Sequence, residues 1–285
     1  MSHFEELAYH MAAEELEQEE EGAHDDIALE PGRNADSASE VSKFVNKAVL
    51  AKYDVYSYRN AASILKNSFP EEFAEIEKAL LDFSITTKDI GLPGGNESTI
   101  PKKLSDSLRP KKWYETRIQG DLIIRVYEQS EEVIKGGKAK KHTLPPKEDI
   151  KLENYIDGHK IDYVKGKVAL DMEWNSKDQT FDRDLYAFRL FHECGIISAA
   201  VLMTRSEKLN DVLKEIPQLN KDGSLKEEAG KIVPCIKKMG ASTTWMGKLL
   251  YRMNAGRHGG CPVLVIGIKA EAVSDWPPKG KVGKK

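Results

Sequence analysis

The sequence has little cysteine, no long apolar run and no internal repeat, and each shortage excludes a class of protein. Its 285 residues hold three cysteines, Cys194, Cys235 and Cys261. They are odd in number and widely spaced, with no CxxC pair and no histidine at zinc-site spacing, which argues against a disulfide framework and a structural zinc site. No apolar stretch approaches the roughly 20 residues needed to span a bilayer. The opening MSHFEELAYH lacks the basic-then-apolar pattern of a secretory signal, so a cytoplasmic location is expected. At 40% hydrophobic and 31% charged, the chain is neither collagen-like nor wholly disordered, and its length allows one large domain or two small ones.

Positive charge is scarce at one end. Residues 1–40 hold 13 of the 46 acids and, in Arg33, one of the 43 basic residues. They carry −12, while residues 41–285 carry +9, from 42 basic residues against 33 acidic ones. An acidic arm on a basic body hints at polyanion binding, with the arm shielding or competing for the basic surface; a solubilising extension is the plainer alternative. Bases bunch at Lys102, Lys103, Arg109, Lys111, Lys112 and Arg117, again from Lys135 to Lys147, and in the tail from Lys279 to Lys285.

From Phe4 to about Glu21 the residues favour helix, and AHDDIALEPGRNADSASE, mixing Pro, Gly, Ser and acids, reads as linker. Residues 1–52 are therefore expected to form an acidic extension outside the core, and 271–285 a basic tail. Helical patterns follow around 59–67 and 70–81, where Phe73, Ile76, Glu77 and Leu80 have the spacing of a helix packed on one face. GLPGGNES breaks the chain, and a short helical piece ends near Arg109. Then the period changes: LIIRVY (122–127), HKIDYV (159–164), VALDMEW (168–174), IISAAVLM (196–203) and PVLVIGI (262–268) read as strands. FDRDLYAFRLFHECG carries Phe181, Leu185, Phe188 and Phe191 at helical spacing and stops at Gly195; a further helix is expected from about Thr244 to Asn254. The expected fold class is α/β or α+β, a central mixed sheet with helices on its faces.

Alternate residues of a strand share a face, so Val168, Leu170, Met172 and Trp174 form an apolar side while Ala169, Asp171 and Glu173 form the other. A turn at Lys165 and Gly166 joins this strand to HKIDYV in a hairpin that brings Asp162 beside the acidic face. Carboxylates so close raise one another's pKa and oppose folding unless a cation or base neutralises them. An all-oxygen cluster suits a hard divalent ion, Mg²⁺ best. A lone DxE on a solvated strand is usually structural; here Lys177 follows Glu173 by four, and a hairpin and an amphipathic helix flank the strand.

That combination resembles the PD-(D/E)xK nuclease core, with Glu173 in the place usually held by lysine. IDYVKGKVALDMEW looks like the active-site hairpin of the BglII/BstYI family of type II restriction endonucleases. YSYRNAASILKNSFPEEFAEIEKALLDF is similar to that family's N-terminal helices, RPKKWYETR to the segment between its Pro-Lys-x-Trp element and the active site, and GRHGGCPVLVIGI to its last glycine-and-strand element. The likeness covers about residues 53–270.

The resemblance implies a restriction-endonuclease-like fold and Mg²⁺-dependent, sequence-specific hydrolysis of double-stranded DNA. Asp162 and Asp171 match the family's metal-binding acids, and Glu173 the place usually held by glutamine. Family members typically have Glu-x-Gln where this chain has Asp171, Met172 and Glu173. Lys177 falls near a DNA-contacting position, and is also a candidate to steady the attacking hydroxide. Glu115 or Thr116 aligns with a polar group that relatives supply from a helix, which makes Glu115 a metal-ligand candidate. For DNA, Ser242 and Thr243, in the run from Ala241 to Thr244, resemble the loop that relatives place in the major groove, though either residue could simply cap the next helix. Lys111 and Lys112 are phosphate candidates, and Arg252, Arg257 and His258, near the last strand, are candidates to clamp phosphate or read guanine. Cys194 and Cys261 read as packed small apolar residues. Family members act as homodimers on short palindromes, several with a GATC centre, and a companion DNA methyltransferase is implied. Two rivals are a structure-specific or repair endonuclease with the same core, and a catalytically silent DNA-binding module.

Overall fold

The computed structural model describes residues 26–94, 98–134, 136–240 and 242–277; the expected helix from Phe4 to about Glu21 and the tail lysines lie outside them. Two compact units emerge, one built from residues up to Glu115 together with those from Ile161 onward, the other from Thr116–Lys160.

The first unit begins with α1 (Ala38–Phe44), capped by the Ser37 side chain, and α2 (Lys47–Lys52), capped by Asn46. Strand β1 (Tyr53–Tyr58) leads to α3 (Ala61–Ser68), α4 (Pro70–Asp82, with proline in its first turn), α5 (Thr87–Gly91) and α6 (Thr99–Leu108). Strand β2 (Tyr114–Arg117) then carries the chain into the second unit. That unit holds two antiparallel ribbons, β3 (Gly120–Arg125) with β6 (Asp149–Ile156), and β4 (Gln129–Ile134) with β5 (Lys138–Thr143). The first unit resumes with β7 (Lys160–Lys165), β8 (Val168–Glu173), α7 (Thr180–Glu193), β9 (Ala199–Arg205) and α8 (Asn210–Glu215). A two-residue ribbon, β10 (Glu227–Glu228) and β11 (Lys231–Ile232), precedes α9 (Met246–Asn254) and β12 (Val263–Ile268).

The main sheet has the order β1-β12-β9-β8-β7-β2, with β8, β9 and β12 parallel and β1 and β7 antiparallel to their neighbours. It is the expected mixed sheet. The even-numbered side of β8, Val168, Leu170 and Met172, joins Val201 and Met203 of β9, Leu264 and Ile266 of β12 and the apolar faces of α1 to α6 in one buried cluster. The odd-numbered side, including Ala169 and Asp171, is buried beneath α7, and α9 packs against α7. Both faces are covered, which is why the parallel strands read as nearly continuous apolar runs.

The structure corrects several expectations. Val41, Val45 and Val49 lie in the core, so residues 38–52 belong to the packed domain. Upstream, the polar stretch that reads as linker is strapped to α9: Asn254 receives the Gly32 amide at 2.6 Å and donates to the Glu30 carbonyl, while Asn34 donates to the Met253 carbonyl. Its polarity serves those hydrogen bonds. Downstream, Ala272 and Val273 are buried in the same core, so that part of the expected tail is packed too. LIIRVY contributes to the β3–β6 ribbon and not to the main sheet, with Ile123, Ile124, Val126 and Tyr127 exposed. Cys194, past the packed face of α7 at its C-terminus, is exposed, whereas Cys235 and Cys261 are buried.

The β7–β8 loop is Gly166 and Lys167, one step on from the expected Lys165 and Gly166, since Lys165 pairs with Val168. Gly166 adopts φ 54°, and a Cβ there would meet the Glu72 carboxylate at 2.7 Å. Gly166→Ala is expected to destabilise the protein by about 1–2 kcal/mol, the cost of a left-handed non-glycine residue, measured by urea unfolding.

Candidate active site

The hairpin pairing ends with Tyr163 opposite Leu170; extended one step it brings Asp162 to Asp171, where a hydrogen bond joins the two. Directly opposed residues of an antiparallel pair project to the same side, so Asp162 joins Asp171 and Glu173 on the α7 face. The backbone locks the pair: the Asp162 amide donates to Asp171 Oδ1 at 2.7 Å. Asp162 itself is exposed, Asp171 is buried, and the Glu173 side chain is 12% exposed. The acids thus line a gradient from solvent into the sheet, near the carboxyl end of β8.

A fourth carboxylate closes the group from α7. Asp184 is buried, and its neighbour Arg183 donates to Asp184 Oδ1 through Nε at 3.2 Å and Nη2 at 3.0 Å. The same Nη2 lies 3.5 Å from Glu173 Oε1. Asp184 Oδ2 is buried and, as an acceptor, has no donor among the described residues. Burial, then the charge of Glu173, push the Asp184 carboxyl up to about 8. Burial, then the charges of Asp184 and Asp162, hold Asp171 well above the ordinary carboxylate range despite the Asp162 amide. Although burial opposes its charge, Arg183 is raised by Asp184 first and by Glu173 and Asp171 beyond it. Sequence reasoning missed Asp184, yet a signal was there: it lies three residues after Phe181 and four before Phe188, on the stripe that packs against the sheet.

The family model for restriction endonuclease BglII/BglIII matches residues 53–268. This chain belongs to that family. No curated protein matches it. The match begins at β1 and ends at β12, and so spans the main sheet and the whole acidic cluster of this restriction endonuclease. Among the described residues no helix is long and apolar enough to cross a membrane.

The other sequence-predicted residues of the endonuclease are spread more widely. Lys177 is exposed in the loop after β8; its backbone bridges to Thr243, and among the described residues its ammonium forms no ion pair. Glu115 is exposed on β2, next to β7 in the sheet, so it comes from a strand and not from a helix. Lys111 ends a short 3-10 turn, and Lys112 follows at φ 67° beside buried Trp113.

Ser242 is exposed, and its carbonyl accepts the Asp178 amide at 2.8 Å. Thr243 Oγ1 donates to the Gly240 carbonyl and accepts from Arg205, both at 2.7 Å. Neither residue caps α9, whose N-cap is Trp245 with no side-chain capping bond. Ala241 lies outside the described residues. Arg205, which sequence reasoning also missed, is buried at the end of β9 and further donates to the Thr244 carbonyl at 3.0 Å and Asn210 Oδ1 at 3.2 Å. Burial pulls its guanidinium down to about 10. No carboxylate pairs with it among the described residues, so its role is to fix the 243–244 backbone.

Arg257 is exposed, stacked over Tyr251 and paired with Asp182. Arg252 and His258, which the sequence offers as DNA contacts, are instead buried. Arg252 bonds Asp182 at 3.0 Å and the Lys248 carbonyl, and His258 Nδ1 lies 2.9 Å from the Cys261 carbonyl. Buried and held by these partners, they are structural residues.

Among the described residues no three His, Cys, Asp or Glu side chains stand as a ready-made ligand set for an ion. The donor chemistry nevertheless fits a hard divalent cation. It is all oxygen, it concentrates up to four negative charges, and it leaves the buried Asp184 Oδ2 without a donor among the described residues.

Proposed function

We propose that this chain is a type II restriction endonuclease. It hydrolyses phosphodiester bonds at a short palindrome in double-stranded DNA, depends on Mg²⁺, and works as a cytoplasmic homodimer alongside a companion methyltransferase that protects the host's own DNA. The observation that carries the reading is Asp162 facing Asp171 across the hairpin, with Glu173 and Asp184 completing the acidic cluster, in a chain of this family.

Asp162 and Asp171 would hold the ion, with Glu115 on the neighbouring edge strand as the third candidate. When bound, Mg²⁺ supplies charge stabilisation at the phosphate and makes a water easier to ionise. Glu173, at the partly open end of β8, orients the attacking water and takes its proton on a carboxylate oxygen. Asp184 stands beside that carboxylate on the helix side and raises the local negative charge. Lys177, exposed in its loop, meets the backbone of the bound strand, as do half-buried Lys111 and exposed Lys112 and Arg257.

Thr243 spends its hydroxyl on Arg205 and Gly240, so base readout falls to Ser242, presented by a loop that Arg205 holds rigid. Ser242→Ala is expected to relax discrimination at one base pair by about 1–3 kcal/mol while leaving non-specific affinity unchanged, read from cleavage rates on single-substituted sites.

The test of the function is digestion of phage DNA with Mg²⁺, followed by sequencing of the fragment ends. A discrete set of fragments sharing one symmetric terminal sequence is expected. Cutting confined to junctions or damaged DNA, or intact binding without cutting in Mg²⁺ and Mn²⁺, would overturn it.

A further inference from the structure

Arg183 sits at the mouth of the acidic cluster. Its side chain is 64% exposed, while the Asp184 and Glu173 side chains that it contacts are 4% and 12% exposed. One edge of the guanidinium therefore faces the carboxylates, and the rest faces solvent where a substrate would arrive. Arg183 contacts two of the four acids, Asp184 and Glu173, and Asp184 Oδ2 has no hydrogen-bond donor among the described residues, so the free protein compensates its own charge only in part. Guanidinium is a weak substitute for a small divalent ion in this place, because it offers one positive charge and largely exposed ion pairs contribute little.

The Arg183 contact also occupies one of the Glu173 Oε1 lone pairs that a water or ion would use. The contact at 3.5 Å is loose, and Arg183 lies in the first turn of α7 beside the end of β8. A guanidinium released there keeps its fork of donors, whose geometry suits phosphate oxygens.

We propose that Arg183 is the counter-ion of the carboxylate cluster in the free protein, that a divalent ion displaces it, and that the released side chain then contacts the DNA backbone. This rests on the endonuclease reading, and its test separates the two. Calorimetric titration of the DNA-free, full-length protein with Mg²⁺ should show binding to Arg183→Gln roughly tenfold tighter than to the wild type, since one competing charge-assisted contact is gone. With Ca²⁺ and duplex DNA, R183Q should bind roughly tenfold more weakly, and the slope of log affinity against log salt should fall by about 0.9, one phosphate contact. Arg183→Lys should restore most of that slope. Melting temperatures of all variants serve as the folding control, and the exposure of Arg183 predicts little change.

Unchanged Mg²⁺ affinity and unchanged salt slope in R183Q, with a wild type that binds Mg²⁺ and cuts DNA, would overturn the exchange alone. Weaker Mg²⁺ binding in R183Q would also overturn it, making Arg183 a scaffold for the ligands. A wild type that neither binds Mg²⁺ nor cuts DNA would overturn both readings.

Discussion

Asp171→Asn is expected to abolish DNA cleavage, a loss of about 10²–10⁴-fold or more, while the protein stays folded and binds duplex DNA as well as before or better. The asymmetry comes from where the carboxylate lies. Asparagine keeps an oxygen to accept the Asp162 amide, so the hairpin retains its cross-strand lock. It loses the charge that a bound ion needs and that repels phosphate. It also removes a buried carboxylate held well above its ordinary range by burial, Asp184 and Asp162, so the fold should gain stability at neutral pH. Plasmid cleavage, fluorescence anisotropy with Ca²⁺ and thermal melting measure the three effects. If folding and binding are lost together, Asp171 is a structural residue.

The stability of the chelator-treated protein should fall as pH rises from about 4 towards 8. An unfolded Asp titrates near about 3.9. In the folded protein Asp184 titrates near about 8, and Asp171 is also raised, with burial the leading cause for both. Between those values the folded state binds more protons than the unfolded one, so each group's contribution is fully present below the unfolded pKa and is lost through the folded pKa. Burial and then Glu173 work against ionisation of Asp184, and Arg183 works for it, which reduces the net effect. A loss of about 1–3 kcal/mol is expected, the order of an unsatisfied buried polar group. Mg²⁺ or Asp184→Asn should flatten the decline. Thermal melts at pH 5 and pH 8.5, with and without Mg²⁺, give the comparison; a flat profile in the metal-free wild type would contradict the account.

Much of the site was legible because strand parity is a strict rule. Once VALDMEW is a strand, Asp171 and Glu173 must share a face, and a two-residue turn at Gly166 puts Asp162 on that same face whichever neighbour completes the turn; Lys165 would set it opposite Ala169, and the observed Lys167 sets it at Asp171. Helix periodicity likewise anticipates the core face of α7. Asp184 escaped because a carboxylate on an apolar stripe is visible only when the stripe is read for its exceptions.

The first strand escaped for another reason. Tyr53–Tyr58 shows no clean alternation, since it is an edge strand with its middle residues half-buried. The stretch from Glu30 to Asn34 looked like linker because its hydrogen-bond partners, on α9, lie more than 200 positions away. Contacts of that separation leave no local pattern. Arg205 is similar, since only the fold shows that a strand-end arginine fastens the loop at 243–244.

The most direct measurement of the central claim is the anomalous signal of Mn²⁺ in crystals of the full chain with a duplex containing its site. A peak bridging the carboxylates of Asp162 and Asp171, with a phosphate oxygen on its open side and Glu173 facing the in-line water, is the predicted result. A peak elsewhere, or DNA seated away from the end of β8, would contradict it.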